Sequence, residues 1–292
     1  MSALAVPLPD EPPVLGAGDE VAPGYTVVGH LARGRAVDVY EVWSEERLCR
    51  CVAKTIRPDR VDVARVRYRL LQEGWLLKVL AHLHLPRAIE TVEGASPVVI
   101  LETDVGPTLA EVIGEGTGRQ PVADLGHLGR QLTSAVGYLH GQGYLHLDIR
   151  PGNVLVHGDR ATLVDLSIAR PPGRVHRGLG TPEYLAPEQA RGGIVTAATD
   201  VWGLGATLFE AATGVAPFAP LDEAERLALD AGTFLQLQRP APPFSRLPAH
   251  VPAPFAELVT ACLAPDPADR PVVRDLHDRL GEVLAVVSSA AG

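Results

Sequence analysis

Asp148, Asn153 and Asp165 are spaced to work together. Asn153 follows Asp148 by five residues and Asp165 follows Asn153 by twelve. Between them, Val154-Leu155-Val156 and Thr162-Leu163-Val164 read as short apolar strands around a His157-Gly158-Asp159 turn. Such a turn brings the chain back on itself, so Asn153 and Asp165 can converge on a divalent cation while Asp148 faces a hydroxyl. Metal-assisted phosphoryl transfer needs that set: one group to take the nucleophile's proton, and hard oxygen ligands for a cation such as Mg²⁺.

Lysine usage singles out another position. Of the 26 Lys and Arg residues only two are Lys, Lys54 and Lys78. Where Arg supplies nearly every cation, a retained Lys suggests chemistry that wants a compact ammonium. Lys54 follows Cys51-Val52-Ala53 on a strand, and Glu73 lies nineteen residues later in a helical pattern. A solvated edge lysine is the plain alternative for Lys54, and Lys78 offers no chemical reason of its own.

The elements that must position these groups fall into two halves. Strand patterns cover Tyr25–Val28, Val37–Trp43 and Leu48–Ile56, with turn residues between them. A helix is predicted over Asp62–Ala81, with Leu70, Glu73, Leu77 and Leu80 on one side, and a buried strand over Val98–Glu102. After Thr103-Asp104-Val105-Gly106-Pro107 the chain becomes mostly helical. Asp124 can cap a helix that stops at Gly141 and Gly143; further helices are expected over 197–213, 223–232, 253–263 and 272–286. The pattern predicts an α+β, bilobal fold with a cleft at residues 102–107. Residues 1–23, rich in Pro and acid, read as a flexible leader. The domain then spans 24–287, with a small lobe over 24–102, a hinge over 102–107, a larger lobe over 108–287 and a tail over 288–292.

Composition narrows the classes. The 292 residues carry 46% hydrophobic and 21% charged side chains, as in a folded globular protein, and a net charge of −9 argues against nucleic acid or an anionic membrane as partner. Cys49, Cys51 and Cys262 make neither a disulfide framework nor a zinc spacing, which suits a reducing cytoplasm. No secretion signal is visible. The longest apolar run, Val201–Leu221, is broken by Glu210, Gly214 and Pro217 and reads as a buried helix rather than a membrane span.

His146-Leu147-Asp148-Ile149-Arg150-Pro151-Gly152-Asn153 and Asp165-Leu166-Ser167 resemble the H-R-D-x-K-P-x-N and D-F-G motifs of eukaryotic-type (Hanks-type) protein kinases. They depart at Leu147 for Arg, Arg150 for Lys and Ser167 for Gly. Leu31 to Val39 stands where the family has G-x-G-x-x-G-x-V, its glycine positions falling on Ala32, Gly34 and Val37; alone, this segment reads better as an ordinary hairpin. Lys54 and the Glu73…Leu77…Leu80 pattern follow at the family's distances. Gly180-Thr181-Pro182-Glu183-Tyr184-Leu185-Ala186-Pro187-Glu188 matches G-T-x-x-Y-x-A-P-E, and Asp200 and Arg270 fall at two further family positions. The resemblance runs from about Tyr25 to Leu284 and is nearest in kind to bacterial serine/threonine protein kinases.

The resemblance implies ATP and Mg²⁺ (or Mn²⁺) as cofactors and a protein hydroxyl as substrate. It assigns Asp148 to the substrate proton, Arg150 to the γ-phosphate as a partial substitute for Lys, and Lys54, held by Glu73, to the α- and β-phosphates. Thr181 would bond Asp148, while Asn153 and Asp165 would hold the metal. Leu31, Ala32, Gly34 and Val37 would cover the phosphates. Val39, Val52 and Leu155 would sandwich the adenine, with Leu101 as gatekeeper and the backbone of Glu102 and Asp104 at its edge. Glu188 would pair with Arg270, and Asp200 would bond the catalytic-loop backbone.

Two departures agree about control. Leu147 cannot receive a phosphate as the family's arginine does, and residues 168–180 contain no Ser, Thr or Tyr to carry one. An enzyme not switched by phosphorylation of that segment is expected. The Ala32, Val37 and Ser167 departures leave a second reading open, a pseudokinase acting as a nucleotide- or protein-binding scaffold. A small-molecule phosphotransferase would share Lys54 and the Asp148 loop but not the A-P-E motif, the Asp200 helix or Arg270.

Overall fold

The computed structural model describes residues 11–104, 106–115, 122–230, 232–243 and 251–291. It divides into two compact units, residues 1–81 with 86–104 and residues 82–85 with 105–292.

The first unit is a six-stranded antiparallel sheet with one helix. Its strands are β1 (Glu20–Ala22), β2 (Tyr25–Arg33), β3 (Val37–Ser44), β4 (Cys49–Ile56), β5 (Ala88–Val92) and β6 (Val98–Glu102), in the order β1-β2-β3-β4-β6-β5. Alternation along each strand sorts the side chains. Tyr40, Val42, Cys51, Ala53, Val98 and Ile100 join Ala22, Tyr25 and Val27 in one buried core. The pairs Val39↔Lys54, Val52↔Leu101 and Lys54↔Val99 therefore share the opposite face. Helix α1 (Ala64–Val79) buries Leu70, Glu73, Gly74, Leu76 and Leu77. Its approach to the sheet is set by Gly74. A Cβ there would stand 2.8 Å from Val99 Cγ2 and 2.9 Å from Thr91 Oγ1, so no larger residue fits without displacement.

The stretch expected to be a flexible leader is tied down over much of its length. β1 pairs with β2, Gly18 N–H donates to Val27 O at 2.9 Å, and Leu15 packs against the core. A three-residue strand with an irregular register carries no periodic signal, so composition alone misled. Residues 1–10 lie outside the described residues. β5, too, is absent from the sequence reading.

The second unit is built on helices α2 (Leu109–Glu115), α3 (Val122–Gly141), α4 (Pro187–Arg191), α5 (Ala197–Thr213), α6 (Glu223–Ala228), α7 (Ala253–Cys262) and α8 (Val273–Ala291). Two-stranded ribbons pair β7 (Val154–His157) with β8 (Arg160–Leu163), and β9 (Gly173–Arg174) with β10 (Ile194–Val195). α5 is buried almost throughout, and Gly203 lets it touch the loop that carries Asp148: a Cβ there would meet Ile149 Cβ at 2.9 Å. Three boundaries differ from expectation. Asp124 sits inside the first turn of α3 rather than capping it, α6 ends at Ala228, and α8 continues to Ala291 through the expected tail. Residues 82–85 belong to this unit: His84 O accepts from Leu163 N at 2.9 Å and the His84 ring bonds Ala161 O at 2.8 Å. Among the described residues no helix is long and apolar enough to cross a membrane.

Candidate active site

In the first unit, Lys54 Nζ meets Glu73 Oε1 and Oε2 at 2.9 and 2.7 Å, with both side chains buried. β4 and α1 supply one partner each, and the close packing at Gly74 holds them together. The other candidates of this unit lie on neighbouring strands. Ala32 pairs with Val39, Val52 pairs with Leu101, and Val37 pairs with Ile56. Leu31 is exposed on β2, Glu102 N–H donates to Arg87 O at 2.9 Å, and Asp104 is half-buried. Among the described residues, left-handed φ at non-glycine positions occurs at Leu48, Leu147 and Asp165 alone. Ala32, Val37 and Ser167 thus replace glycine without backbone strain.

In the second unit the loop before β7 holds the candidate catalytic groups. Asp148 Oδ1 accepts from Thr181 Oγ1 at 2.7 Å and from Thr181 N–H at 3.0 Å. Asn153 Nδ2 donates to Asp148 O at 2.8 Å and to Asp148 Oδ2 at 3.0 Å. Arg150 Nε lies 3.6 Å from Asp148 Oδ2. The loop is hung from α5, since Asp200 accepts from the N–H groups of His146 and Leu147, each at 2.8 Å. His146 Nδ1 accepts from Asp148 N–H at 3.2 Å, which leaves Nε2 to donate to Val164 O at 3.2 Å and fixes a neutral tautomer. His146 is thus a structural residue of the loop. Leu155, on β7, bridges to Thr108.

Asn153 and Asp165 offer oxygen ligands. With Asn153 Nδ2 committed to Asp148, its Oδ1 is the end left for a cation. Asp165 stands at φ 70°, a conformation that Asp tolerates, and its Oδ1 accepts from Ser167 N–H at 3.2 Å. An amide oxygen and a carboxylate suit a hard cation that keeps waters and phosphate oxygens for its remaining positions. Among the described residues no group of three or more His, Cys, Asp or Glu is placed to hold a metal by itself.

The protein kinase domain family matches residues 25–279. The chain belongs to this family. It is similar to the serine/threonine-protein kinase PkaA of Streptomyces coelicolor, 33% identical over 249 residues, which cover 82% of this chain and 43% of that protein. It is also similar to the serine/threonine-protein kinase AfsK of Streptomyces griseus, 30% identical over 270 residues (89% of this chain, 32% of that one). The serine/threonine-protein kinase PknD of Mycobacterium tuberculosis is 31% identical over 261 residues (87% and 38%). The chain thus spans less than half the length of these relatives. Protein kinases of this family use ATP and a divalent cation.

The kinase domain carries two further clusters near the loop. Glu188 and Arg270 form a buried two-pronged pair at 2.8 and 2.9 Å, with Arg270 stacked over Trp202 and Thr199 Oγ1 donating to Glu188 at 2.8 Å. Sequence reasoning missed the second cluster. Tyr184 OH donates to Glu210 Oε2 at 2.6 Å, and burial pushes both the phenol and the carboxyl above their ordinary values. An acidic residue interrupting the apolar run 201–221 was the available signal.

Leu147 is the third feature. It is 4% exposed and packs with Leu145, Ile168, Val175, Leu179 and Val195. Its φ of 68° is held from both sides: Asp200 accepts from its N–H, and its carbonyl accepts from Gln189 Nε2 at 2.9 Å.

Proposed function

We propose that this chain is a serine/threonine protein kinase that moves the γ-phosphate of ATP to a protein hydroxyl. The observation that carries the reading is Asp148, whose carboxylate is aimed by Thr181 on one oxygen and Asn153 on the other. In the step, the hydroxyl oxygen bonds the γ-phosphorus as the bond to the β–γ bridging oxygen breaks. ADP leaves, and the hydroxyl proton passes to Asp148. Arg150 places its charge beside Asp148 and the transferred group. Lys54, oriented by Glu73, binds the α- and β-phosphates. Leu31, Ala32, Gly34 and Val37 cover the phosphates, and Val39, Val52, Leu101, Glu102, Asp104 and Leu155 receive the base. Asn153 Oδ1 and Asp165 would hold Mg²⁺, which when bound offsets negative charge on the phosphates.

The kinase proposed is not switched on by phosphorylation within residues 168–180. Leu147 buried against Ile168, Val175 and Leu179 supports a segment ordered by apolar packing instead. The protein substrate is the partner implied, and three free cysteines fit a cytoplasmic setting.

Transfer of label from γ-labelled ATP to a generic basic protein tests the reading, with wild type beside Asp148→Asn and Lys54→Met. Label from wild type alone is expected. Absence of label, with no thermal shift on adding Mg-ATP, would replace the enzyme by a scaffold. Phosphosite mapping after the same incubation tests the regulatory part; an activating phosphate between residues 166 and 180 would overturn it.

A further inference from the structure

The β2–β3 tip is held by charges rather than by glycine. Arg33 and Asp38 form the last cross-strand pair before it. Arg33 Nε and Nη2 donate to Asp38 Oδ1 and Oδ2 at 2.8 and 2.9 Å, and Asp38 is 1% exposed. Burial works against the Asp38 charge, but the Arg33 fork and the His30 ring hold its carboxyl below the ordinary carboxylate range. Across the tip, Arg57 takes two of the three turn carbonyls. Its N–H donates to Ala36 O at 3.0 Å and its Nη1 to Gly34 O at 3.2 Å. Asp59 fixes the same guanidinium at 2.9 and 3.2 Å.

The N-terminal segment closes over this pair of arginines. Glu11 Oε1 accepts from Arg57 Nη2 at 3.2 Å, and Glu11 Oε2 lies 3.7 Å from Arg33 Nη1. That same Nη1 donates to Pro12 O at 2.8 Å. Four residues after Glu11, Leu15 N–H donates to Tyr40 OH at 3.2 Å and the Leu15 side chain packs on the sheet core, so the segment is anchored at its far end. Pro12 and Pro13 limit the backbone between these anchors. One carboxylate thus bridges the two side chains that grip the tip.

We propose that Glu11, Arg33 and Arg57 are positioning residues for ATP, with residues 11–15 acting as a strap that fixes the β2–β3 tip before nucleotide arrives. The proposal rests on the reading of that tip as the phosphate cover. Ordering a loop on binding costs conformational entropy, and a tip already held loses less. With two of three glycine positions filled by Ala32 and Val37, the chain replaces a loop that adapts by one that is set in place.

Full-length Glu11→Gln and Glu11→Arg test this. The Glu11 side chain is one-third exposed, so either replacement can turn to solvent and leave the core intact. A partly exposed ion pair corresponds to roughly a two- to fivefold change in an equilibrium constant, and reversal, which sets a cation between two arginines, to about tenfold. Amide hydrogen exchange in residues 33–38 of the nucleotide-free protein should therefore speed up in the order wild type, Gln, Arg, with β5 and β6 unchanged. KM for ATP should rise in the same order while kcat stays within about twofold, a split that general destabilisation does not produce. Unchanged exchange in the tip, or faster exchange with an unchanged KM, overturns the strap. Direct binding of Mg-ATP to wild type is measured first. A chain that binds none loses the proposed kinase function as well, whereas one that binds equally well in Glu11→Arg loses the strap alone.

Discussion

Leu147→Ala examines whether apolar packing orders the segment after Asp165. The side chain is 4% exposed, and its five cluster partners are all buried. Replacing a buried Leu by Ala costs about 2–5 kcal/mol, more where the surroundings cannot collapse into the space. Collapse is restricted here because Asp200 and Gln189 pin the Leu147 backbone at φ 68°. Alanine pays the same left-handed penalty as leucine, so relief of strain offsets nothing. A loss in the upper half of the range, about 3–5 kcal/mol, is expected, together with faster proteolysis between residues 168 and 180 and loss of phosphotransfer. Leu147→Met, which keeps the volume, should cost less than about 1.5 kcal/mol and retain activity. Urea melts, limited proteolysis and label transfer would be run on all three proteins. A Leu147→Ala protein within about 1 kcal/mol of wild type, with an unchanged cleavage pattern, would refute the apolar anchor.

Gly74→Ala should push α1 away from β5 and β6, because its Cβ would stand 2.8 Å from Val99 Cγ2; a loss of about 1–3 kcal/mol and weaker stabilisation by Mg-ATP are expected in a thermal-shift assay. Arg270→Leu strands the buried Glu188 carboxylate and should cost about 3–5 kcal/mol, whereas pairing it with Glu188→Leu should recover part of that loss in a double-mutant cycle. Asp38, whose folded carboxyl titrates below its unfolded value, contributes stability that is fully present above the ordinary carboxylate pKa and lost as pH falls through the folded one. Asp38→Asn should therefore lower stability at pH 7 while flattening its decline on the acid side, read from urea melts across that range.

The residues proposed to carry bond-making chemistry stand out in the sequence because their types are restricted and their spacing is fixed by local elements. Asn153 and Asp165 flank a hairpin, and Thr181 reaches Asp148 from a motif that announces itself. Long periodic helices such as α5 were equally plain. What sequence did not reveal depends on contacts between distant segments. β1 is three residues long, residues 82–85 fold with the second unit, and the Glu11 to Arg57 bond spans 46 residues with no pattern linking its ends. The cost of the missing glycines could not be read from sequence, because it depends on backbone dihedrals. Among the described residues, left-handed φ at non-glycine positions falls at Leu48, Leu147 and Asp165, so Ala32, Val37 and Ser167 stand in place of glycine without that strain.

These departures share a physical consequence. A glycine-rich loop and a phosphate-dependent segment both stay mobile until something binds or is added. Here the loop is gripped by Arg33 and Arg57 under Glu11, and the segment is gripped by Leu147, Val175 and Leu179. Ion pairs of this kind weaken with salt, whereas an apolar cluster does not. The two grips can therefore be separated in one protein. On the proposed reading, raising NaCl from low to molar concentration should increase KM for ATP through the strap, more in wild type than in Glu11→Gln, while residues 168–180 keep their resistance to protease. Equal salt sensitivity of KM in the two proteins would mean that the charges around the tip do not set nucleotide affinity. The loss of glycine would then have to be explained by the strand backbone of Ala32 and Val37 alone.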